Sequence, residues 1–237
     1  MAQVTVFPDT ESIAQHFVDR VEEILKPRLA GSRPIHVGLS GGSTPKRAYE
    51  LLAQSSIDLT NLRVYMVDER YVPLEDERSN ERMMREAFSQ AVERFKYFPM
   101  YEEGGVETAA SNYNAMLRRE VDKFDLILLG MGDDGHTASI FPGMWPDEGV
   151  NNFCVASTAP VVCPERITLT MRAICWARET IFMVSGAAKA ERVREVLKDK
   201  PKLSDLPAQF ERLPAQYVHH HAMNCQWWLD TEAASQL

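Results

Sequence analysis

Short apolar runs, each followed directly by polar residues, recur along the chain and predict a buried sheet. The runs do not alternate between apolar and polar residues, which is typical of parallel strands covered on both faces. The four clearest runs are Ile35–Leu39, Val64–Val67, Phe124–Leu129 and Ile181–Val184. Because ligands bind beyond the carboxyl ends of such strands, the polar residues that follow the runs are the first candidates for a functional site.

Stretches with helical spacing separate these runs. Val4–Phe7 predicts a first strand, and Asp9 or Thr10 is expected to cap a helix that ends near Lys26. At Thr44-Pro45, a capping hydroxyl followed by proline predicts another helix start. Further helices are expected after Ser79 or Asn80, over residues 110–121 and after Gly186. Strand–helix alternation of this kind predicts right-handed β-α-β units around a parallel sheet.

The middle of the chain departs from this alternation. Residues 141–164 contain four prolines and little helical period, which predicts loops with one short hairpin. The hairpin strands are expected at Phe153–Ser157 and Ile167–Thr170. The sequence has no internal repeat, low-complexity tract or obvious linker, so the prediction is a single α/β domain over residues 1–237 with a small irregular insertion.

The balance of charges argues against some partners. With 26 basic and 34 acidic residues the net charge is −8, which disfavours a nucleic-acid or anionic-membrane surface but not a small anionic ligand. No run approaches the ~20 apolar residues of a membrane span, and the start lacks a secretory pattern.

Four cysteines without a C-x-x-C pair predict reduced thiols in the cytoplasm, with a structural disulfide as the alternative. A monomer or weak homo-oligomer is expected.

A glycine-rich turn follows the run at Ile35–Leu39. Gly41 and Gly42 allow the backbone to approach a ligand closely, and Ser43 and Thr44 add hydroxyls at the start of a predicted helix. Unpaired N–H groups and the positive end of a helix dipole favour a phosphate at such a position. The alternative is an ordinary strand-to-helix turn.

Two sequence matches point to other chemistries but lack the expected surroundings. Gly38-Leu39-Ser40-Gly41-Gly42 fits the nucleophile elbow of serine hydrolases, yet Thr44-Pro45 postpones the helix, and only about one strand precedes the serine. Residues 130–135 match the dinucleotide fingerprint G-x-G-x-x-G, but any helix after Gly135 meets Pro142 within two turns. Neither a serine nucleophile nor nicotinamide binding is the favoured interpretation.

His136 follows this second glycine-rich turn at the carboxyl end of a predicted strand, two residues after Asp134. Histidine accepts a proton at neutral pH, since its unperturbed pKa is about 6.5, and a nearby carboxylate can fix its tautomer. We predict that His136 is a general base, although spacing alone does not say whether Asp134 points towards it. A structural histidine is the alternative.

Three cations are candidate ligands of an anionic substrate. Arg70 ends the segment Asp68-Glu69-Arg70, and Asp68 and Arg70 share a face if the strand stays extended. The alternative for this segment is a cluster of surface salt bridges, and this is the interpretation we favour for Glu69. Arg166 precedes the second hairpin strand, and Lys189 falls in the first turn of a predicted helix. Most residues of these two types are solvated surface charges.

The C-terminal region holds two further patterns. His219-His220-His221 invites a metal-site interpretation, but adjacent residues on a regular element do not converge, and no H-E-x-x-H or C-x-x-C accompanies them. A polar turn is expected there instead. Trp227-Trp228-Leu229 is most simply explained as core packing.

Together and in order, these motifs resemble the 6-phosphogluconolactonase family. The match extends from about residue 39 to residue 230, nearly the whole chain, and several ordered motifs are far more specific than any single one. The motifs are Leu39–Pro45, Asp68-Glu69-Arg70 with Ser79-Asn80, Gly132–Ser139, Pro164–Thr168, Gly186–Lys189 and Trp227–Asp230.

The resemblance implies a Rossmann-like α/β fold with a mostly parallel sheet and helices on both faces, shared with glucosamine-6-phosphate deaminases. It also implies hydrolysis of 6-phospho-glucono-δ-lactone to 6-phosphogluconate in the oxidative pentose phosphate pathway. No metal or organic cofactor is expected. The general base falls on His136, and the family's arginine after D-E falls on Arg70. The phosphate or substrate contacts fall on Arg166 and Lys189.

Two alternatives stay open. The deaminases tend to carry D-E-Y and D-G-H-I-A-F-N where this chain has Asp68-Glu69-Arg70 and Asp134–Ser139, which favours the lactonase. A sensor that binds sugar phosphates without turnover is the second alternative, and the intact pair of Asp134 and His136 argues against it. The predicted catalytic residues are His136, Arg70 and Asp134; the predicted substrate-binding residues are Gly41, Gly42, Ser43, Thr44, Asp68, Arg166 and Lys189.

Overall fold

Seven parallel strands form the main sheet of the computed structural model, which describes residues 2–26, 33–161, 163–198 and 213–237. In spatial order the strands are β1 (Gln3–Phe7), β10 (Cys225–Asp230), β9 (Thr180–Val184), β6 (Leu126–Leu129), β2 (Ile35–Leu39), β3 (Leu62–Met66) and β5 (Lys96–Phe98). Every neighbouring pair is parallel, so all seven carboxyl ends lie at one edge. The predicted parallel sheet is confirmed.

Helices alternate with these strands and complete the α/β pattern. In the part of the chain that the structure describes they are α1 (Thr10–Leu25), α2 (Ser43–Gln54), α3 (Asn80–Phe88), α4 (Val106–Glu120), α5 (Met171–Trp176), α6 (Ala190–Leu197) and α7 (Pro214–His221). Asp9 caps α1 by accepting a hydrogen bond from the N–H of Ser12 at 2.7 Å. The hydroxyl of Ser79 caps α3 in the same way, by accepting a hydrogen bond from the N–H of Arg82 at 3.1 Å. The predicted cap positions of both helices are confirmed.

A second, smaller sheet is antiparallel and contains the predicted hairpin. Its strands are β4 (Asp68–Arg70), β8 (Glu165–Leu169) and β7 (Cys154–Thr158), in that order. Val67 joins the two sheets, because its N–H donates to Leu39 at 2.8 Å and its carbonyl accepts from Leu169 at 2.8 Å. The small sheet is thereby fixed at the carboxyl edge of the large one.

The core surrounds the central strands of the main sheet. Every residue of β2, β6 and β9 is buried, as expected for strands that are covered on both faces. Trp227 in β10 stacks on Phe182 in β9 with ring centroids 4.0 Å apart, and Trp228 is also buried. The core-packing interpretation of the tryptophans is confirmed. Replacing either with alanine would cost about 3–5 kcal/mol of stability.

Two local predictions are wrong. α2 begins at Ser43, so Thr44 is not its cap; Oγ1 of Thr44 instead lies 2.8 Å from Oγ of Ser185. Pro45 is the third residue of α2 and is tolerated there because N–H groups in a first helical turn have no intrahelical partner. The three histidines at 219–221 form the last turn of α7 and not a separate polar turn.

All four cysteines are free thiols. Burial raises the pKa of Cys175 and of Cys225 to about 12, which keeps both protonated at neutral pH. Within the described ranges, no helix combines the length and the apolar character that crossing a bilayer requires.

Candidate active site

A cleft of about 310 Å³ opens at the carboxyl edge of the main sheet, where β2, β3, β6 and β9 end. It brings together residues that are far apart in sequence. The predicted site residues in its wall are Gly41, Gly42, Ser43, Thr44, Asp68, Arg70, His136 and Lys189. Asp134 joins them through a hydrogen bond to His136, whereas Arg166 lies beside Arg70 and outside the wall.

A larger groove of about 640 Å³ lies between α4 and β7, but its chemistry is different. Its wall contains two carboxylates, those of Glu107 and Asp147, and no lysine, arginine or histidine. A phosphate there would meet negative charge alone. The smaller cleft is the better match for an anionic substrate.

The turn after β2 needs glycine at two positions for different reasons. Gly42 has a φ of 113°, a left-handed value that favours glycine. A Cβ on Gly41 would lie 2.0 Å from Oδ1 of Asn80, so there is no room for a side chain. α2 starts directly after this turn without a side-chain cap, which leaves its first N–H groups and its positive dipole end at the cleft. This is a favourable position for a phosphate.

His136 and Asp134 form a hydrogen-bonded pair at the cleft. Nδ1 of His136 lies 2.6 Å from Oδ1 of Asp134, and the backbone N–H of His136 donates to the same oxygen at 3.0 Å. The carboxylate favours the tautomer with its proton on Nδ1, which leaves Nε2 as a proton acceptor. Partial burial would raise the pKa of Asp134, but the hydrogen bonds and charge of His136 hold it below its ordinary value.

Backbone hydrogen bonds hold the loop that carries this pair. The N–H of Gly132 donates to the carbonyl of His136 at 2.9 Å, and the N–H of Gly135 donates to the carbonyl of Gly132 at 3.0 Å. Two helices add anchors: Arg192 in α6 donates to the carbonyl of Asp133 at 2.9 Å, and an N–H at the start of α7 donates to Gly135 at 3.0 Å. The loop is thus held largely by hydrogen bonds to its main-chain atoms.

Glu69 is buried and does not form the expected surface salt bridge, so that interpretation is wrong. Its carboxylate accepts hydrogen bonds from the backbone N–H groups of Arg70, Asn80 and Glu81, each at 2.7 Å. Burial raises the pKa of Glu69 to about 7, against the opposing effect of these N–H groups. Glu69 therefore ties β4 to the start of α3 behind the cleft wall.

Two arginines face each other across β4 and β8. Arg70 pairs with Arg166 in antiparallel register, and the Nε atom of each is buried without a hydrogen-bond partner among the described residues. Burial and the charge of Arg70 lower the pKa of Arg166, while Asp68 acts in the opposite direction. Two adjacent guanidinium groups favour an anion beside them, and Arg70 is the one that reaches the cleft.

A buried polar network holds Asp68. Its Oδ2 accepts a hydrogen bond from the hydroxyl of Ser139 at 2.6 Å. The N–H of Ser139 donates to Oγ1 of Thr168 at 3.2 Å, and its carbonyl accepts from the hydroxyl of Ser157 at 2.9 Å. Because β7 and β8 supply these partners, the small sheet positions Asp68. Asp68 and Arg70 both line the cleft, as the predicted shared face requires.

Lys189 reaches the cleft from the segment after β9. It ends a short 3-10 helix, Ala187–Lys189, directly before α6, and is not in the first turn of the α-helix itself. Its Nζ lies 2.5 Å from Oδ1 of Asp133, in the loop that also carries His136. Lys189 thus links the segment after β9 to the loop after β6.

The geometry disfavours the two alternative chemistries. Ser40 is buried and its Oγ has no hydrogen-bond partner in the described ranges, so no base activates it. α2 does begin only three residues later, so the argument from a postponed helix is wrong. Residues 136–153 form turns and isolated bridges and not the helix that a dinucleotide fingerprint needs. In the described part of the chain, no group of three or more His, Cys, Asp or Glu side chains could hold a metal ion.

Three residues that shape the cleft were not predicted as site residues from the sequence: Asn80, Ser139 and Ser185. Asn80 packs on Gly41 and donates to the carbonyl of Asp68 at 3.0 Å. Asn80 and Ser139 lie within the motifs Ser79-Asn80 and Gly132–Ser139, and this position was the only indication in the sequence that they belong to the site. Ser185 directly follows β9, where a polar residue at a strand end is itself a weak indication.

Comparisons with known proteins agree with this geometry. The family model described as glucosamine-6-phosphate isomerases/6-phosphogluconolactonase matches residues 8–227. The chain belongs to this family. The 6-phosphogluconolactonase of Thermotoga maritima is 33% identical over 216 residues, which cover 90% of this chain and 95% of that protein.

Solved structures of 6-phosphogluconolactonases share the fold. The enzyme from Shewanella baltica superimposes with a TM-score of 0.86 at 25% identity, covering 97% of this chain and 98% of that one. The enzyme from Trypanosoma brucei gives the same TM-score and identity, covering 100% and 99%. The family resemblance and the Rossmann-like α/β fold are thereby confirmed.

Proposed function

We propose that this protein hydrolyses 6-phospho-D-glucono-1,5-lactone to 6-phosphogluconate, the lactonase step of the oxidative pentose phosphate pathway. The observation that carries the proposal is the His136–Asp134 pair in one cleft with Arg70, Lys189 and an uncapped helix start. A phosphorylated lactone needs these parts: a base for water, a cation for the oxyanion and a site for the phosphate. The relatives named 6-phosphogluconolactonase support the same reaction.

The phosphate binds at the glycine turn in this proposal. Ser43 and Thr44, at the uncapped start and positive dipole end of α2, line the cleft, and Lys189 adds a formal charge. Arg166 contributes positive potential from its buried place beside Arg70. Anchoring the phosphate orients the sugar ring relative to the histidine, which lowers the entropic barrier to attack.

His136 removes a proton from water as the water oxygen attacks the lactone carbonyl. The hydrogen bond from Nδ1 to Asp134 orients the ring and stabilises the imidazolium that forms. Phe141 packs against the imidazole with ring centroids 4.4 Å apart, which restricts its rotation. General-base help of this kind typically contributes about 10²–10⁴-fold to the rate.

Ring opening completes the hydrolysis. As the tetrahedral intermediate collapses, the bond between the carbonyl carbon and the ring oxygen breaks, and His136 returns its proton to that oxygen. Arg70 stabilises the developing oxyanion or holds the substrate, and variant kinetics separate these roles. Loss of an oxyanion contact lowers kcat, whereas loss of a ground-state contact raises KM. δ-Lactones already hydrolyse unaided, so no covalent intermediate is required.

The proposal extends to the organisation of the protein. Residues 1–237 act as a single cytoplasmic domain, as a monomer or weak homo-oligomer, without a nucleic-acid partner. The family match over residues 8–227 supports the single domain, and the net charge of −8 disfavours a nucleic-acid surface. Light scattering should give a mass near 26.9 kDa or a weak, concentration-dependent increase, whereas a stable tetramer would contradict it.

One pair of assays tests the reaction. Freshly made lactone is supplied, 6-phosphogluconate is detected with its dehydrogenase, and the spontaneous rate is subtracted. Ammonia release from glucosamine-6-phosphate is measured in parallel. We expect catalysed lactone hydrolysis without ammonia. Ammonia release would assign the deaminase reaction instead, and binding without either product would support the sensor.

A further inference from the structure

Asp133 neutralises one of the cations that line the cleft. Its Oδ1 lies 2.5 Å from Nζ of Lys189, and its side chain is 78% exposed, against 26% for Lys189. Lys189 is in the cleft wall, whereas Asp133 is outside it. A cation that is available to a phosphorylated ligand is therefore already paired with a carboxylate of this chain.

The carboxylate of Asp133 is not what holds the catalytic loop. The carbonyl of Asp133 is fixed by Arg192, and the flanking glycines at 132 and 135 are fixed by backbone hydrogen bonds. All of these contacts use main-chain atoms of the loop. The exposed side chain of Asp133 can turn away from Lys189 while the backbone that carries His136 stays in place.

We propose that Asp133 is an internal competitor for Lys189, which the phosphate of a bound ligand displaces. The inference rests on the proposed function in taking Lys189 as a phosphate contact. Binding then exchanges one ion pair for another, so the affinity is lower than it would be with an unpaired lysine. The same exchange weakens binding of the phosphorylated product and favours its release. Asp133 thus sets the affinity of the cleft rather than the rate of the chemical step.

The perturbation that isolates this role is Asp133→Asn, which removes the charge and keeps the size. Exposed ion pairs are weak, so we expect a two- to fivefold lower Kd for 6-phosphogluconate, which is about 0.4–1.0 kcal/mol at 25 °C. KM for the lactone should fall by the same factor, and kcat should stay within about twofold. A structural role would change kcat or stability and leave Kd where it is.

Two further variants complete the design. Glu195→Gln is the matched control: it removes another exposed acid next to the same loop anchor, since Glu195 binds Arg192, and it should leave Kd unchanged. Lys189→Met removes the cation for which Asp133 competes. In that background Asp133→Asn should have little further effect, because a pairwise competition disappears with either partner.

Isothermal titration with 6-phosphogluconate and with inorganic phosphate measures these constants without turnover. Tighter binding by Asp133→Asn that vanishes in the Lys189→Met background supports the proposal. Unchanged or weaker binding, an equal gain in both backgrounds, or an equal gain from Glu195→Gln overturns it. If the titrations follow the expected pattern in a protein that does not hydrolyse the lactone, the proposed function fails and the competition stands.

Discussion

Gly132→Ala should disable the enzyme while leaving every proposed catalytic side chain in the sequence. A Cβ at this position would lie 2.1 Å from Nδ1 of His136 and 2.7 Å from Oδ1 of Asp134. The added methyl would therefore stand against both atoms of the hydrogen bond that orients the base. The fold has no comparable reason to fail, because the strain is confined to this loop.

The size of the effect follows from the distances. Non-bonded carbon contacts need well over 3 Å, so Nδ1 of His136 has to move by about 1 Å from its present position. Misplacement of a reacting group by this amount can cost about 10²-fold in rate. We expect kcat to fall by about two orders of magnitude, while KM changes little because the glycine turn and Lys189 are untouched.

The assay compares initial rates of lactone hydrolysis, corrected for the spontaneous reaction, in Gly132→Ala and a matched control. Gly130→Ala adds the same methyl two residues earlier, where no heavy atom lies within 4 Å of the new Cβ. If Gly132→Ala keeps a kcat within threefold of the parent, the orientation of His136 by Asp134 does not matter for turnover. If Gly130→Ala loses as much in kcat, the loop and not the pair is responsible; a methyl that only obstructs the cleft, which Gly130 also lines, would raise KM instead.

Three further substitutions test the supporting structure. Ser139→Ala removes a hydrogen bond to the buried Asp68 and should lower the free energy of unfolding by about 1.5–3 kcal/mol, as measured in urea. A loss below about 0.5 kcal/mol, on the order of measurement error, would mean that this hydrogen bond does not stabilise the fold. Burial raises the pKa of Glu69 from its ordinary value of 4.5 to about 7, so the folded protein binds more protons than the unfolded chain between these pH values. The free energy of unfolding therefore falls as the pH rises from 4.5 to 7, by at most about 3 kcal/mol. Glu69→Gln should abolish that part of the pH dependence of urea unfolding, and identical pH profiles would refute the assignment. Arg166→Met removes a buried like charge beside Arg70, so stability should hold or rise while KM for the lactone increases at least about tenfold; lower stability with an unchanged KM would reverse the interpretation.

The parallel sheet was predictable because its strands are marked by local composition. β2 matches its apolar run residue for residue, and β3, β6 and β9 each overlap theirs closely. Such runs report burial on both faces, a property of the segment itself. The helix caps at Asp9 and Ser79 were equally readable, since a cap depends on a few adjacent residues.

Features that depend on distant partners were not predictable in the same way. β4 has three residues, and it is a strand because it pairs with β8, almost a hundred positions away. Glu69 looks like a surface acid in sequence and is buried because the start of α3 folds onto it. The contact between Lys189 and Asp133 likewise joins loops that follow different strands. No local pattern records these pairings.

In the cleft, too, some features follow from local sequence and others from contacts between distant segments. The spacing of Asp134 and His136 did not decide whether their side chains are in contact. The glycine-rich turn, with Gly135 in the left-handed region, brings them together. Motif membership identified most of the cleft wall, because the motifs end the strands that meet at one edge. The position of Arg166 beside Arg70, one layer behind the wall, needed the register of the small sheet.

The turnover of His136→Ala with freshly made 6-phosphogluconolactone, after subtraction of the spontaneous rate, decides whether His136 is the general base. We expect kcat to fall by about 10²–10⁴-fold while the variant stays folded and still binds 6-phosphogluconate. Near-normal turnover in this variant would mean that the histidine beside Asp134 is not the base, and the mechanism built on this cleft would be wrong.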